Sequence, residues 1–140
     1  MKILLAVDGS SYTKRMLAYV AAHDEWLGAR HQYTVLSVVP FMPARAAAVT
    51  ARDVIQRYYT DEAERVLKPI RRFFKQQRLE ANFIGQAGNV AHTIIELADG
   101  GGFDLLVMGS HGHGNLVNLV MGSVATKVLA NSKVAVLLVR

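Results

Sequence analysis

The chain has 140 residues, of which 16 are Lys or Arg, 11 are Asp or Glu and none is Cys. This length fits one domain with one sizeable core, and the lack of Cys excludes disulfides, thiolate metal sites, iron–sulfur clusters and a Cys nucleophile. With 51% hydrophobic and 19% charged residues, the composition is typical of a globular protein. The net charge of +5 leaves nucleic acids and acidic membrane surfaces open as partners.

No stretch of the sequence is predicted to enter a membrane. The apolar runs are about 5 to 8 residues long, whereas a helix needs roughly 20 apolar residues to cross a bilayer. The run at the N-terminus is interrupted by Asp8 and is not followed by a cleavage-type site, so we expect a strand there and not a signal peptide. We therefore expect a cytoplasmic protein without membrane insertion.

Five short apolar runs alternate with stretches of helical periodicity along the chain. The predicted strands cover residues 3–7, 33–39, 81–87, 104–108 and 134–139. The four predicted helices cover residues 13–27, 55–74, 91–98 and 122–131. Pro69 lies inside the second helix, where we expect a kink or a break, and we expect residues 40–48 to form a mobile loop.

This alternation predicts the fold class. Strands that alternate with helices form βαβ units with right-handed crossovers and a mainly parallel sheet. We expect an α/β protein of three layers, in which a doubly wound, five-stranded parallel sheet has the strand order 3-2-1-4-5 and is covered by four helices. Residues 1–140 are expected to form a single domain.

The net positive charge belongs to one segment. Residues 45–78 contain nine Lys or Arg and four Asp or Glu, a difference of +5 that equals the charge of the whole chain. These charges alternate with a regular apolar stripe, which is the pattern of a solvated helix face. We therefore do not expect nucleic-acid binding, while docking of an acidic protein partner stays open.

Two strand ends carry residues suited to binding a ligand. In doubly wound sheets, ligands bind beyond the carboxyl ends of the strands, where the winding direction reverses. The first strand ends at Asp8, and the fourth is followed by a glycine-rich loop that begins at Gly109. Asp8 has the alternative role of capping the first helix, but its position opposite the glycine-rich loop favours contact with a ligand.

The glycine-rich loop has the composition of a phosphate-binding site. Two residues separate Gly109 from Gly112, and after nine further residues Gly122 and Ser123 open the last helix. Glycine allows backbone N–H groups to approach phosphate oxygens, and a helix N-terminus with a hydroxyl in its first turn attracts anions. The spacing therefore predicts two phosphate-binding elements on one loop; the alternative is that these glycines only make tight turns.

The sequence resembles the universal stress protein family over nearly its whole length. The matching segments are ILLAVDGS, VLSVVP, GNVAHTIIELADGGGFDLLVMGSHG and GHGNLVNLVMGSVATKVL. The last two contain the Gly-x2-Gly-x9-Gly-Ser pattern that the ATP-binding members of the family carry. The resemblance implies a regulatory, stress-response homodimer that binds ATP between the first and fourth strands, with Mg²⁺ or Mn²⁺ accompanying the phosphates.

The same resemblance implies a set of nucleotide-binding residues. These are Ala6, Asp8, Val38, Met108, Gly109, His111, Gly112, Gly122, Ser123, Val124 and Ala125. The first strand and the backbone of Val38 would line the adenine and ribose, and the glycine-rich loop would bracket the ribose and phosphates. The start of the last helix would then hold the phosphate tail.

The sequence departs from the family pattern in three places. His111 stands where Arg is frequent, which gives a weaker and pH-dependent charge. Ala125 stands where Ser or Thr often supplies a hydroxyl, and Val134-Ala135 replace a Cys-Pro pair before the last strand. The first departure implies a lower affinity for phosphates, and the second removes one possible phosphate hydroxyl.

No metal site or catalytic group of the chain's own is predicted. The His111-x-His113 spacing has no third ligand nearby in sequence, so a divalent ion is expected only with the nucleotide, and Asp8 is one candidate ligand for it. The glycine pattern lacks a Walker lysine, and the sequence has no Gly-x-Ser-x-Gly elbow. Slow ATP hydrolysis therefore stays an alternative function without an assigned catalytic residue.

The strand from Val134 to Val139 is apolar at every position and is expected at the edge of the sheet. A long apolar edge promotes aggregation unless it is covered. The family resemblance implies that two chains pair these strands across a two-fold axis; the alternative is burial under the chain's own helices. An unidentified regulatory protein is a further expected partner, and a nucleotide-independent protein-interaction module is the other function that stays open.

Overall fold

Five parallel strands form the centre of the molecule in the computed structural model, which describes residues 1–114 and 120–140. The strands are β1 (Lys2–Val7), β2 (Gln32–Val39), β3 (Ala81–Ala87), β4 (Leu105–Gly109) and β5 (Ala135–Val139). Their order in the sheet is β3-β2-β1-β4-β5, and each neighbouring pair is parallel. The predicted α/β class and strand order are confirmed. The part of the glycine pattern at 115–119 lies outside the described residues.

The described residues contain six helices, so the predicted number of four is wrong. The helices are α1 (Ser11–Ala22), α2 (Asp24–Leu27), α3 (Ala44–Ala48), α4 (Arg52–Gln76), α5 (Val90–Gly100) and α6 (Ser123–Asn131). The predicted first helix is divided at His23, whose φ of −119° and ψ of 49° are not helical and whose ring stacks on Tyr19. The other additional helix, α3, lies in the predicted loop, where alanines favour helix formation.

Helix α4 continues through Pro69, so the predicted break does not occur. A proline in a helix costs about 3 kcal/mol, whereas each fully buried large apolar side chain contributes roughly 1.5–3 kcal/mol. Leu67, Ile70 and Phe74 are all buried around Pro69, so packing outweighs the lost backbone hydrogen bond. Across the described residues, α4 included, no helix has the length and apolarity needed to cross a membrane.

Side chains of β1 alternate between two apolar cores, one on each face of the sheet. Ile3, Leu5 and Val7 belong to the core that contains residues of α1 and α4, whereas Leu4 and Ala6 belong to the core that contains residues of α5 and α6. All five are buried. This alternation produces the three layers and fixes the carboxyl end of β1 in the middle of the sheet, between β2 and β4.

Candidate functional site

A pocket of about 400 Å³ lies at the carboxyl ends of β1, β2 and β4. This volume falls within the range of small-molecule sites. The structure brings all eleven residues that were named from the sequence into the lining: Ala6, Asp8, Val38, Met108, Gly109, His111, Gly112, Gly122, Ser123, Val124 and Ala125. Residues that are far apart in sequence converge here because the neighbouring strands β1 and β4 end side by side.

The turn between β1 and α1 holds the carboxylate of Asp8 in a fixed orientation. Oδ1 of Asp8 accepts hydrogen bonds from the backbone N of Ser10 and from Oγ1 of Thr13, both at 2.9 Å. The same Thr13 oxygen accepts a hydrogen bond from the backbone N of Asp8 at 3.1 Å. Gly9 completes the turn with a φ of +77°, a conformation that glycine adopts without strain.

The second carboxylate oxygen of Asp8 is directed towards the glycine-rich loop. A Cβ atom placed on Gly112 would lie 2.8 Å from Oδ2 of Asp8. No described residue donates a hydrogen bond to this oxygen. Ser10, and not Asp8, is the N-cap of α1. The structure thus leaves Oδ2 as an acceptor at the wall of the pocket.

Three hydrogen bonds to backbone carbonyl groups tie the glycine-rich loop to its surroundings. The N of Gly122 donates to the carbonyl of Ser110 at 2.8 Å, and the N of Ser110 donates to the carbonyl of Val139 at 2.9 Å. His113 Nε2 lies 2.7 Å from the carbonyl oxygen of Asp8, which only accepts, so the imidazole donates. The loop is therefore attached to β1, to β5 and to the start of α6.

His111 is held between a hydroxyl and an aromatic ring. Its Nδ1 lies 2.9 Å from Oγ of Ser110, and its ring centroid lies 4.9 Å from that of Tyr12. A Cβ on Gly109 would approach the Cβ of Tyr12 to 2.6 Å. The absence of a side chain at Gly109 therefore allows α1 to pack directly against the end of β4, where Tyr12 supports the His111 ring.

The N-terminus of α6 faces the pocket. Gly122 is its N-cap, and no side chain of the described residues caps the first turn. The first N–H groups of a helix have no partner within the helix and carry a partial positive charge. Ser123 is exposed, whereas Ala125 is buried in the core. Residue 125 can therefore offer its N–H group but has no side chain to offer a ligand.

Most of the remaining lining of the pocket is apolar. Ala6, Val38 and Met108 line the pocket together with Val90 and Ile94 of α5. This combination of apolar walls and few polar groups is usual in ligand sites.

Sequence reasoning missed the contribution of α4 to the pocket. Glu62, Arg65 and Val66 line it, and Nη2 of Arg65 lies 3.2 Å from Oε2 of Glu62. The charges of α4 were interpreted as a solvated face, and no local pattern distinguishes these two from their neighbours. Only the topology of the sheet indicates that α4 contributes to the pocket, because α4 follows β2 and crosses next to the end of β1. A Cβ on Gly9, just after β1, would lie 3.5 Å from Val66 of α4.

Solved structures share this fold. Protein MJ0577 of Methanocaldococcus jannaschii matches with a TM-score of 0.78 at 26% identity, covering 99% of this chain and 94% of that one. A universal stress protein family protein of Arabidopsis thaliana with AMP bound has a TM-score of 0.70 at 13% identity and covers 99% and 90%. A universal stress protein in complex with cAMP has a TM-score of 0.60 at 22% identity and covers 100% and 96%. The last two show similarity of fold.

Sequence comparison extends over the whole chain. A Thermus aquaticus protein described as a universal stress protein in the QAH/OAS sulfhydrylase 3′ region is 33% identical over 138 residues, covering 99% of this chain and 97% of its own length. The family model described as "Universal stress protein family" matches residues 1–140. The chain therefore belongs to the universal stress protein family.

Proposed function

We propose that residues 1–140 form one nucleotide-binding domain and that the pocket binds an adenine nucleotide, with ATP as its ligand. The observation that carries this proposal is the convergence of three kinds of surface on one pocket. These are an apolar wall, the Oδ2 acceptor of Asp8 and the uncapped N-terminus of α6. An adenine nucleotide has the matching parts: an apolar base, ribose hydroxyls that donate hydrogen bonds and anionic phosphates.

The base and ribose would occupy the side of the pocket next to β1 and β2. Ala6, Val38 and Met108 would contact the adenine, since apolar contact with a flat ring requires no polar partner on that face. A ribose hydroxyl would donate to Oδ2 of Asp8, and a hydrogen bond to a charged acceptor is stronger than one between neutral groups. The two bonds at Oδ1 keep the carboxylate oriented for this contact.

The phosphates would lie between the glycine-rich loop and α6. Gly109, His111 and Gly112 would bracket the ribose and the first phosphate, and Gly122 would allow the loop to pass close to the helix start. A Cβ on Gly122 would lie 3.2 Å from the Cα of His111, so little space is left there. The N–H groups of Ser123, Val124 and Ala125, with the Ser123 hydroxyl, would bind the phosphate tail.

Two structures with the same fold support the choice of ligand class. One is described with AMP bound and the other in complex with cAMP. AMP and cAMP share adenine, ribose and one phosphate, which are the parts assigned above to the apolar wall, to Asp8 and to the loop. The longer phosphate tail of ATP is assigned to α6 because the Gly-x2-Gly-x9-Gly-Ser pattern ends at the N-terminus of this helix.

A divalent ion, Mg²⁺ or Mn²⁺, would accompany the phosphates. Within the described residues, no three side chains of His, Cys, Asp or Glu are grouped in a way that would hold a metal ion. Asp8 is the candidate protein ligand, through the lone pair of Oδ2 that the ribose hydroxyl does not use, and phosphate oxygens and water would complete the shell of such a hard cation. The ion would neutralise charge on the phosphate tail.

We place the proposed homodimer at the β5 edge of the sheet. β5 pairs with β4 on one side, and its residues Val136, Leu137 and Leu138 are only partly buried within one chain. A second copy of β5 would satisfy the open edge. The hydrogen bond from Ser110 to Val139 joins the glycine-rich loop to this strand. Nucleotide binding would therefore shift the equilibrium of dimer or partner binding, in keeping with a regulatory protein of the cytoplasm.

Isothermal titration calorimetry of nucleotide-free protein with ATP tests the proposal. We expect saturable binding, with a Kd below the millimolar range. Asp8→Asn, which preserves shape but removes the charge, should weaken binding by about tenfold, equivalent to 1.4 kcal/mol. The matched control Asp53→Asn removes a charge on α4 outside the pocket lining and should leave the affinity unchanged.

Two outcomes of this titration would argue against the proposal. No binding of ATP, ADP or AMP at millimolar concentration would favour a nucleotide-independent interaction module. Equal affinities of the two variants would show that Asp8 makes no specific contact with the nucleotide. Mass spectrometry of protein purified without added ligand provides an independent check, since retained adenine nucleotide is expected.

A further inference from the structure

Exposed large apolar side chains are concentrated in residues 41–60, whose exposed side chains are here called the α3–α4 surface. The exposed fractions are 66% for Phe41, 87% for Val49, 48% for Val54 and 43% for Tyr58. Four of the eight exposed large hydrophobic side chains of the described residues lie in this stretch. A stretch with several exposed apolar side chains marks an interaction site more often than isolated exposed side chains do.

The aromatic side chains of this surface are organised around Tyr59. Its hydroxyl accepts a hydrogen bond from the backbone N of Met42 at 2.9 Å. Its ring centroid lies 6.4 Å from that of Phe41 and 5.7 Å from that of Tyr58. Contact with Tyr59 restricts Phe41 and Tyr58 before any partner binds, and such restriction lowers the entropy lost on binding.

The cations of the α3–α4 surface are all arginines. Residues 41–60 contain three of them (Arg45, Arg52 and Arg57), no Lys and one acid, Asp53. No carboxylate of the described residues forms an ion pair with any of the three. Arg65, further along α4, is paired with Glu62. Protein interfaces are enriched in Arg, Tyr, Phe and Met and depleted of Lys, and this surface has the same bias.

We propose that the α3–α4 surface binds an acidic segment of a partner protein that also carries apolar side chains. The arginines present planar guanidinium groups that bind carboxylates in a bidentate manner. Phe41 and Tyr58 provide the aromatic anchors that usually dominate binding energy. A second copy of the same surface is disfavoured as the partner. Each copy would bring three arginines and only one aspartate to the contact, so the arginines of the two copies would repel one another.

An acidic protein segment fits better than an anionic membrane. The carboxylates of Asp53 and Asp61 are exposed beside the arginines, and a flat anionic surface would be forced against them. A peptide can place its acids opposite the arginines and leave these positions free. The surface also borders the pocket, because Pro40 and Glu62, which flank it in sequence, line the pocket. The proposal does not depend on the nature of the pocket's ligand.

Selection from a random peptide library displayed on phage tests this proposal. The full chain is the bait, and the variant R45E/R52E/R57E is used to subtract peptides that bind elsewhere. We expect enriched peptides that combine Asp or Glu with aromatic or aliphatic residues. In fluorescence anisotropy, a synthetic version of an enriched peptide should bind the triple variant about tenfold or more weakly than it binds the wild type. Its binding to the wild type should weaken at high salt.

A matched variant separates local contacts from overall charge. K68E/R72E/K75E makes the same change in charge at exposed positions of the same helix, outside the α3–α4 surface, and should retain the peptide. F41S/Y58S should weaken binding without any change in charge. All these side chains are exposed or half-exposed, and circular dichroism should show that each variant folds.

Three results would overturn the proposal. They are a library without enrichment, enriched peptides that lack acidic residues, and equal losses in the two charge-reversal variants. Vesicles of phosphatidylglycerol and phosphatidylcholine are tested in parallel. Vesicle binding that the R45E/R52E/R57E variant abolishes, without peptide enrichment, would assign the surface to a membrane instead.

Discussion

The Oδ2 atom of Asp8 lies 2.8 Å from the position that a Cβ atom would occupy on Gly112. The two residues follow β1 and β4, which pair at the centre of the sheet although they are far apart in sequence. Asp8 cannot move away freely, since two hydrogen bonds hold its other oxygen. A side chain at position 112 would therefore clash with the Asp8 carboxylate, which is a reason for glycine there in addition to any need for a tight turn.

Replacement of Gly112 by Ala should therefore weaken nucleotide binding more than it weakens the fold. The new Cβ would displace the Asp8 carboxylate from the position proposed for ribose contact. We expect a loss of about tenfold or more in ATP affinity by calorimetry. Gly100→Ala is the matched control, because a Cβ there meets nothing within 4 Å. Equal affinities of Gly112→Ala and the wild type would contradict this role.

Thr13 is expected to act as a positioning residue for Asp8. It is buried, and its hydroxyl donates to Oδ1 of Asp8 and accepts from the backbone N of the same residue. Thr13→Val keeps the shape and removes both bonds, which should cost about 1–3 kcal/mol of unfolding free energy in urea titrations. ATP affinity should fall as well, and Thr13→Ser should restore both properties. Loss of stability with unchanged affinity would show a purely structural role.

The open edge of β5 makes a specific prediction about assembly. The N of Ser110 donates to the carbonyl of Val139, so the backbone polar groups of Val139 point towards β4, and those of Leu138 point to the open edge by alternation. Leu138→Pro removes one outward N–H group and should prevent the proposed dimer from forming, so that light scattering gives the mass of a monomer. Leu138→Ala loses the same side-chain packing but keeps the N–H group, and should remain dimeric. A monomeric wild type would refute the proposed dimer.

Stability should decrease in alkaline solution because of Tyr33. Burial raises the pKa of its hydroxyl to about 12, and this hydroxyl donates to the carbonyl of Leu27. In the unfolded chain the group ionises near pH 10, so between about pH 10 and 12 the unfolded state binds fewer protons. The unfolding free energy therefore falls as the pH rises through this window and is unaffected by Tyr33 below it.

Tyr33→Phe isolates this contribution from other groups that titrate in the same range. Below pH 10 the variant should be less stable by about 1 kcal/mol, because the Leu27 carbonyl loses its partner. The wild type should lose this advantage as the pH rises above 10, and Tyr33→Phe should be the more stable protein near pH 12, because a shift of one pKa unit corresponds to about 1.4 kcal/mol. A difference that is independent of pH in chemical denaturation would contradict the assigned pKa.

The sheet could be predicted from the sequence because each strand is a short apolar run bounded by turn residues. Even the weakly apolar run around Phe83 forms a strand, β3, since β2 pairs with it over seven residues.

The end of α1 could not be predicted in the same way. Leu27 continues the apolar stripe and is buried, but the chain leaves the helical conformation at His23, where the imidazole Nδ1 bonds the carbonyl of Tyr19.

Residues of the candidate site could be predicted where their neighbours in the sequence indicate their role. Gly122 and Ser123 are recognisable from their place before a helix, and Asp8 from its place after a strand. The contributions of Glu62 and Arg65 depend on how α4 crosses the sheet, which no short-range pattern encodes. The same holds for the contact between Gly112 and Asp8, because the distance between them follows from the register of β1 against β4.

Nuclear magnetic resonance of ¹⁵N-labelled protein during titration with ATP tests the central claim most directly. The account predicts saturable shifts of the amide signals of Gly112, Ser123 and Val124, which belong to the proposed phosphate site. The amide signals of Gly100 and Gly102, which do not line the pocket, should not move. Unchanged signals of Gly112, Ser123 and Val124 at millimolar ATP, or shifts confined to other parts of the chain, would contradict it.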